Sequence, residues 1–190
     1  MNFLGHLYFS NNDKDLMTAN LFGDFCKGRS YKTYPTKIQE GVLLHRSIDS
    51  YIDNHKAVKK IRSLLHEPLP KVSGIAIDLY FDHLLAKQWS HFHNEEYNVF
   101  LDSFYQHQST NENLYPESFQ LFLKALRNHK WMNHYPTAYG LQKSCEGVSK
   151  RISFENELKN APILMKAFET MLQNAFIDYM KDARAVFLPH

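Results

Sequence analysis

The residues of this chain whose types and spacing could do chemistry fall into three clusters, each inside an apolar run. They are Asp24 in NLFGDF, then His45, Arg46 and Asp49 in GVLLHRSID, then Asp78, Asp82 and His83 in IDLYFDH. Ionisable side chains in such runs are costly unless they are paired or hold a cation. Helical periodicity puts residues four apart on nearly one face, so His45 stacks on Asp49 and Asp78 on Asp82. His83 is turned by about 100° from Asp82, so both reach one ion only at their shared edge. Mixed carboxylate and imidazole donors suit Mn²⁺, Mg²⁺, Fe²⁺ or Zn²⁺, and the lack of thiolate donors tilts the choice toward the harder ions. An ion held there could acidify a water and polarise a phosphoryl or carbonyl oxygen, while Arg46 offers a planar fork for a phosphate. This is hydrolase chemistry. For any one residue the competing reading is a buried ion pair that serves helix packing, such as Arg46 with Asp49. Three clusters together favour the metal.

Other candidates carry less. His6, after Phe3 and Leu4, reads equally as an additional ligand, an outer partner of one, or a hydrogen-bonded core histidine. Trp89, Trp131, Tyr135 and Tyr139 suit a core or the edge of a cleft. Lys56, Lys59, Lys60 and Arg62 form a basic stripe, either a solvated face or a dock for an acidic partner. Cys26, two residues after Asp24, is a small buried thiol more readily than a nucleophile. The chain has no GxGxxG, P-loop or serine-elbow motif, so metal-activated water stands ahead of covalent catalysis.

The elements that must position these residues are helices. Apolar residues recur at three-to-four spacing throughout, and period-two alternation is scarce. The pattern predicts helices from Asp13, as cap, toward Cys26; through Ile38 to Ile52 with a break near Asp53 and Asn54; and over Ala57 to Leu65. Further helices are predicted over Val72 to His91, Glu95 to Gln106, Glu117 to His129, Ala138 to Arg151 and Ile163 to Ala183. No repeat or flexible linker marks a boundary, so residues 1–190 read as one all-α domain, a helical bundle.

Composition agrees. With 44% hydrophobic residues, 14 Phe and 11 Tyr, the 190-residue chain has the apolar area to fold. A net charge of +2 argues against a dedicated nucleic-acid binder. Two cysteines exclude a disulfide framework and suit a reducing compartment. The opening lacks a signal-like leader and no segment has a membrane span's apolar length, so a soluble cytoplasmic protein is expected.

Several ordered blocks together carry a resemblance: MNFLGHL, NLFGDFCKG, GVLLHRSIDSYIDNH, IDLYFDHLLAKQWS and EGVSKR. They resemble the bacterial acyl carrier protein phosphodiesterases from Met1 to about Arg151, most densely before Ser90. The resemblance implies hydrolysis of the phosphodiester between 4′-phosphopantetheine and a serine of holo-acyl carrier protein. It also implies a distorted HD-domain-like, all-helical fold working with Mn²⁺. Carried over, Asp24 is the essential position, and His45, Asp49, Asp78, Asp82 and His83 match the remaining polar positions. The pair Asp82-His83 reverses the His-Asp order of a standard HD enzyme. The expected ligands are Asp24, His45, Asp78, Asp82 and His83, with Arg46 on a phosphate oxygen and Asp49 orienting Arg46 or His45. The acidic carrier protein would dock on Lys56, Lys59, Lys60 and Arg62. Two other readings stay open: a phosphohydrolase of a nucleotide or small phosphoester, and a non-catalytic helical interaction protein.

Overall fold

The chain opens with a helix that its local pattern does not reveal. The computed structural model describes residues 1–188, and α1 spans Phe3–Tyr8. Six residues are too few to hold a helix alone. Its free amides are satisfied from a distance by the buried Asp82 carboxylate, which accepts from Leu4 N at 2.8 Å, Gly5 N at 3.1 Å and Asn2 N at 3.2 Å.

Asp13 caps α2 (Lys14–Leu21) as its residue type predicts, accepting from Leu16 N at 2.9 Å. The helix does not continue to Cys26. It tightens into a 3₁₀ turn over Phe22–Phe25, where a side chain on Gly23 would overlap the His45 ring. α3 (Thr36–Asn54) follows Pro35 and packs closely on α2, because a methyl on Gly41 would overlap Ala19. His55, in extended conformation, separates α3 from α4 (Lys56–Leu65) and supplies the expected break. Then come α5 (Ser73–Lys87), α6 (Tyr97–Gln106), α7 (Glu117–His129) and α8 (Ala138–Ser149), the last capped by the Thr137 hydroxyl. The single C-terminal helix expected from the sequence divides into α9 (Ala161–Leu164), a 3₁₀ turn over Met165–Phe168, and α10 (Glu169–Phe187).

Among the described residues there is no strand, so the all-α class expected from periodicity is what forms. α10 packs against α4 and α5, and α1 lies across α2 and α5. Phe9, Phe81, Phe176 and Tyr179 are fully buried, and Phe81 meets Phe176 edge-on at 5.4 Å between ring centres. Burying each such ring contributes on the order of 2 to 3 kcal/mol. Phe22, Tyr115 and Phe119 form a second aromatic knot that holds the 3₁₀ turn in place. Cys26 and Cys145 are both free and buried. Among the described residues no helix is long and apolar enough to cross a membrane.

Candidate metal centre

α3 presents His45 and Asp49 one turn apart, and their facing atoms, His45 Nε2 and Asp49 Oδ2, lie 3.1 Å apart. α1 brings His6 to the other oxygen, with Nε2 3.3 Å from Asp49 Oδ1. The two imidazoles stack at 4.1 Å with 15° between their planes. One ligand atom from each of His6, His45 and Asp49 lies within 4.8 Å of the others. The 3₁₀ turn carries Asp24 to the same place, its Oδ1 3.4 Å from His45 Nε2. Glycine at position 23 allows that approach, since any larger residue would collide with the imidazole. Asp24, Asp49 and His6 line an open cleft of about 270 Å³ together with Asp53 and Asp78.

The protonation pattern shows what the cluster can hold. Asn20 donates through Nδ2 to the His6 carbonyl and to Ser10 Oγ, each at 3.0 Å, which leaves its Oδ1 facing His6 Nδ1 at 2.9 Å. His6 must therefore donate from Nδ1, so in its neutral form Nε2 carries a lone pair. Burial, outweighing the pull of Asp49, lowers the His6 pKa and favours that neutral form. A lone pair and a carboxylate oxygen then face each other with no proton between them. A cation resolves that repulsion. A histidine whose far nitrogen is pinned by a side-chain oxygen is also the usual environment of an imidazole metal ligand.

His45 differs. Burial opposes its charge, yet hydrogen bonds to Asp24 and Asp49 raise its pKa to about 9. For Asp49, burial works against ionisation, but its pairing with His45 more than offsets it and holds the carboxyl well below its ordinary range. Without a metal, a proton on His45 does part of the work a cation would do. The set of two imidazoles and half-exposed carboxylates fits a divalent ion of intermediate to hard character.

The structure places the other expected residues as follows. Asp78 lines the cleft, where it also accepts from the Met1 ammonium at 2.9 Å. Burial raises the Asp78 carboxyl pKa, against the pull of that ammonium. Asp78 and Asp82 do share one face of α5, but Asp82 turns to the amides of α1 rather than to the cleft. With all three amides on one carboxylate, little of it is left for an ion. His83 points away from the cluster, and its Nδ1 donates to the Tyr135 carbonyl at 2.7 Å. Arg46 is not among the residues lining the cleft. Its Nη2 donates to the Cys26 carbonyl at 2.9 Å and its guanidinium lies 5.0 Å from the centre of the Tyr31 ring, so it pins the loop behind Asp24. On α4, Arg62 pairs with cleft-lining Asp53 at 3.1 Å, and Lys59 donates to Asn54. Lys56 and Lys60 line a separate groove against Asp178 and Asp182 of α10. His6 is the member of the cluster that sequence spacing underweighted, because its helix is invisible to local pattern.

A family model described as acyl carrier protein phosphodiesterase matches residues 1–183. Among curated relatives of that name, the protein of Pectobacterium atrosepticum is 32% identical over 136 residues, covering 71% of this chain and 70% of the relative. That of Enterobacter sp. (strain 638) is 28% identical over 156 residues, covering 80% and 79%. The Salmonella agona protein is 27% identical over 154 residues, with the same coverage of 80% and 79%. No solved structure matches the chain.

Proposed function

The chain belongs to the acyl carrier protein phosphodiesterase family, and from that premise we propose that it hydrolyses the phosphodiester joining 4′-phosphopantetheine to a serine of holo-acyl carrier protein. The products are the apo-protein and free 4′-phosphopantetheine. The observation that carries the reading is the approach of His6 Nε2, whose ring Asn20 holds through Nδ1, to Asp49 Oδ1 at 3.3 Å, beside His45 and open to a cleft.

The proposed ligands are His6, His45 and Asp49, with Asp24 and Asp78 at the margin of the same cleft. Asp82 and His83 are left out, because the Asp82 carboxylate accepts three backbone amides and neither residue lines the metal cleft. A divalent cation, Mn²⁺ by preference, supplies Lewis-acid stabilisation of the phosphodiester and a more acidic water when bound. Asp24, on the solvent side of His45, is placed to accept a proton from the attacking water. Arg46 acts at one remove, holding the Cys26 loop so that Asp24 keeps its position. Asn20 keeps His6 in the tautomer that presents its lone pair. The basic residues of α4, with Arg62 nearest the cleft, supply the field that attracts an acidic carrier protein. The reading assigns the protein to the cytoplasm and to lipid metabolism, on a carrier used in fatty acid biosynthesis.

The test is incubation with purified holo-acyl carrier protein and Mn²⁺, followed by intact-mass measurement of the carrier. A loss equal to the phosphopantetheine group is expected, abolished by chelator and by Asp24→Asn. An unchanged carrier mass at every metal tested would contradict the proposal.

A further inference from the structure

A second cleft, of about 480 Å³, adjoins the metal cleft, and the two share Asn2 and Val148 in their linings. Its chemistry is the opposite of its neighbour's. The metal cleft is lined by four aspartates, whereas the second cleft has no carboxylate in its lining. Phe3, Phe122 and Trp131 form its wall, with ring centres 5.2 to 6.4 Å apart. Tyr139, 61% exposed, stands at the mouth with the Lys143 ammonium 5.7 Å from its ring centre. A volume of several hundred Å³, aromatic walls and a few polar groups are the properties of a small-molecule site.

We infer that this cleft binds the pantetheine arm of the substrate while the phosphodiester lies at the His6, His45 and Asp49 cluster. The inference rests on the proposed function and adds to it the subsite that selects the substrate. The arm is long, neutral and partly apolar, and it begins at the scissile phosphate. A ligand anchored at the metal cleft and leaving past Asn2 and Val148 enters the aromatic cleft directly. Nothing in the lining would repel an uncharged chain or the phosphate that leads it. The carrier protein then remains outside the cleft, and the enzyme reads the prosthetic group in addition to the carrier's charge.

Gly147 offers a clean test. It lies in α8 and lines the cleft, and a Cβ added there meets no atom within 4 Å. Gly147→Leu therefore adds bulk at the cleft with no clash at its Cβ, and it replaces a poor helix former with a good one. With wild type active on holo-acyl carrier protein, the variant should lose about 10-fold or more in kcat/KM. Its Mn²⁺ affinity should match wild type and its melting temperature should not fall below it. Turnover within twofold of wild type would overturn the arm subsite while leaving the proposed function intact. A wild type that never releases phosphopantetheine would instead overturn the function and the subsite with it. A second readout does not depend on turnover. Free 4′-phosphopantetheine titrated into wild type should change Trp131 emission saturably, a change that Trp131→Phe removes, and a flat response would overturn the subsite.

Discussion

Asp49 and Asp82 are both aspartates in apolar helical runs, each four residues from another ionisable side chain, yet their surroundings give them different work. Asp82, 1% exposed, is saturated by the amides of Asn2, Leu4 and Gly5 at the start of α1. Asp49 has a side chain 45% exposed, and its two oxygens face the Nε2 atoms of two imidazoles at the edge of a cleft. A buried carboxylate that meets backbone donors builds structure. A half-open one that meets imidazole nitrogens builds a site. The two are nonetheless linked, because the helix that Asp82 caps is the one that delivers His6.

Asp49→Ala should show the largest effect on function. Hydrolysis should fall by more than about 100-fold, beyond what loss of an outer-shell partner costs, while thermal melts show the fold retained. Asp82→Ala should invert the pattern. It strands three amides and should cost roughly 3 kcal/mol or more in denaturant unfolding, with activity lost through misplacement of α1. If Asp82→Ala kept full stability and lost Mn²⁺ binding outright, the division between the two aspartates would be wrong.

Asn20→Ala sharpens the division. It leaves every ligand in place but frees the His6 tautomer, so Mn²⁺ affinity by calorimetry should weaken by about 10- to 100-fold. An unchanged affinity would mean that the His6 lone pair is not what the ion uses. The smallest expected effect is on pH. In chelator, the folded His45 pKa of about 9 exceeds its ordinary value of 6.5. Its stabilising contribution is therefore complete below about pH 6.5 and is lost as pH rises toward 9. The melting temperature of the metal-free protein should decline across that window. Mn²⁺ should flatten the decline, because it replaces the proton.

Much of this architecture was legible locally. Asp13 as a cap, the α3–α4 break at His55 and the bounds of α7 follow from residue types and periodicity. The His45 and Asp49 pair followed from spacing alone. What escaped depends on partners distant in sequence. α1 is held by a carboxylate 78 residues away from Leu4, so no local pattern marks it. With α1 unseen, His6 had no defined direction, and Asp82 looked like a free ligand rather than a cap. The i, i+4 rule put Asp78 and Asp82 on one face correctly, but it cannot say what that face meets. Arg46 likewise looked like a phosphate fork because the Cys26 carbonyl it grips lies twenty residues earlier in the chain.

The most direct measurement is anomalous diffraction at the manganese edge from crystals of the protein soaked in Mn²⁺. The expected result is a peak at coordination distance, about 2.1 to 2.4 Å, from His6 Nε2, His45 Nε2 and an Asp49 oxygen. A peak seated instead between Asp82 and His83, or none at the His6 cluster under saturating Mn²⁺, would contradict the assignment.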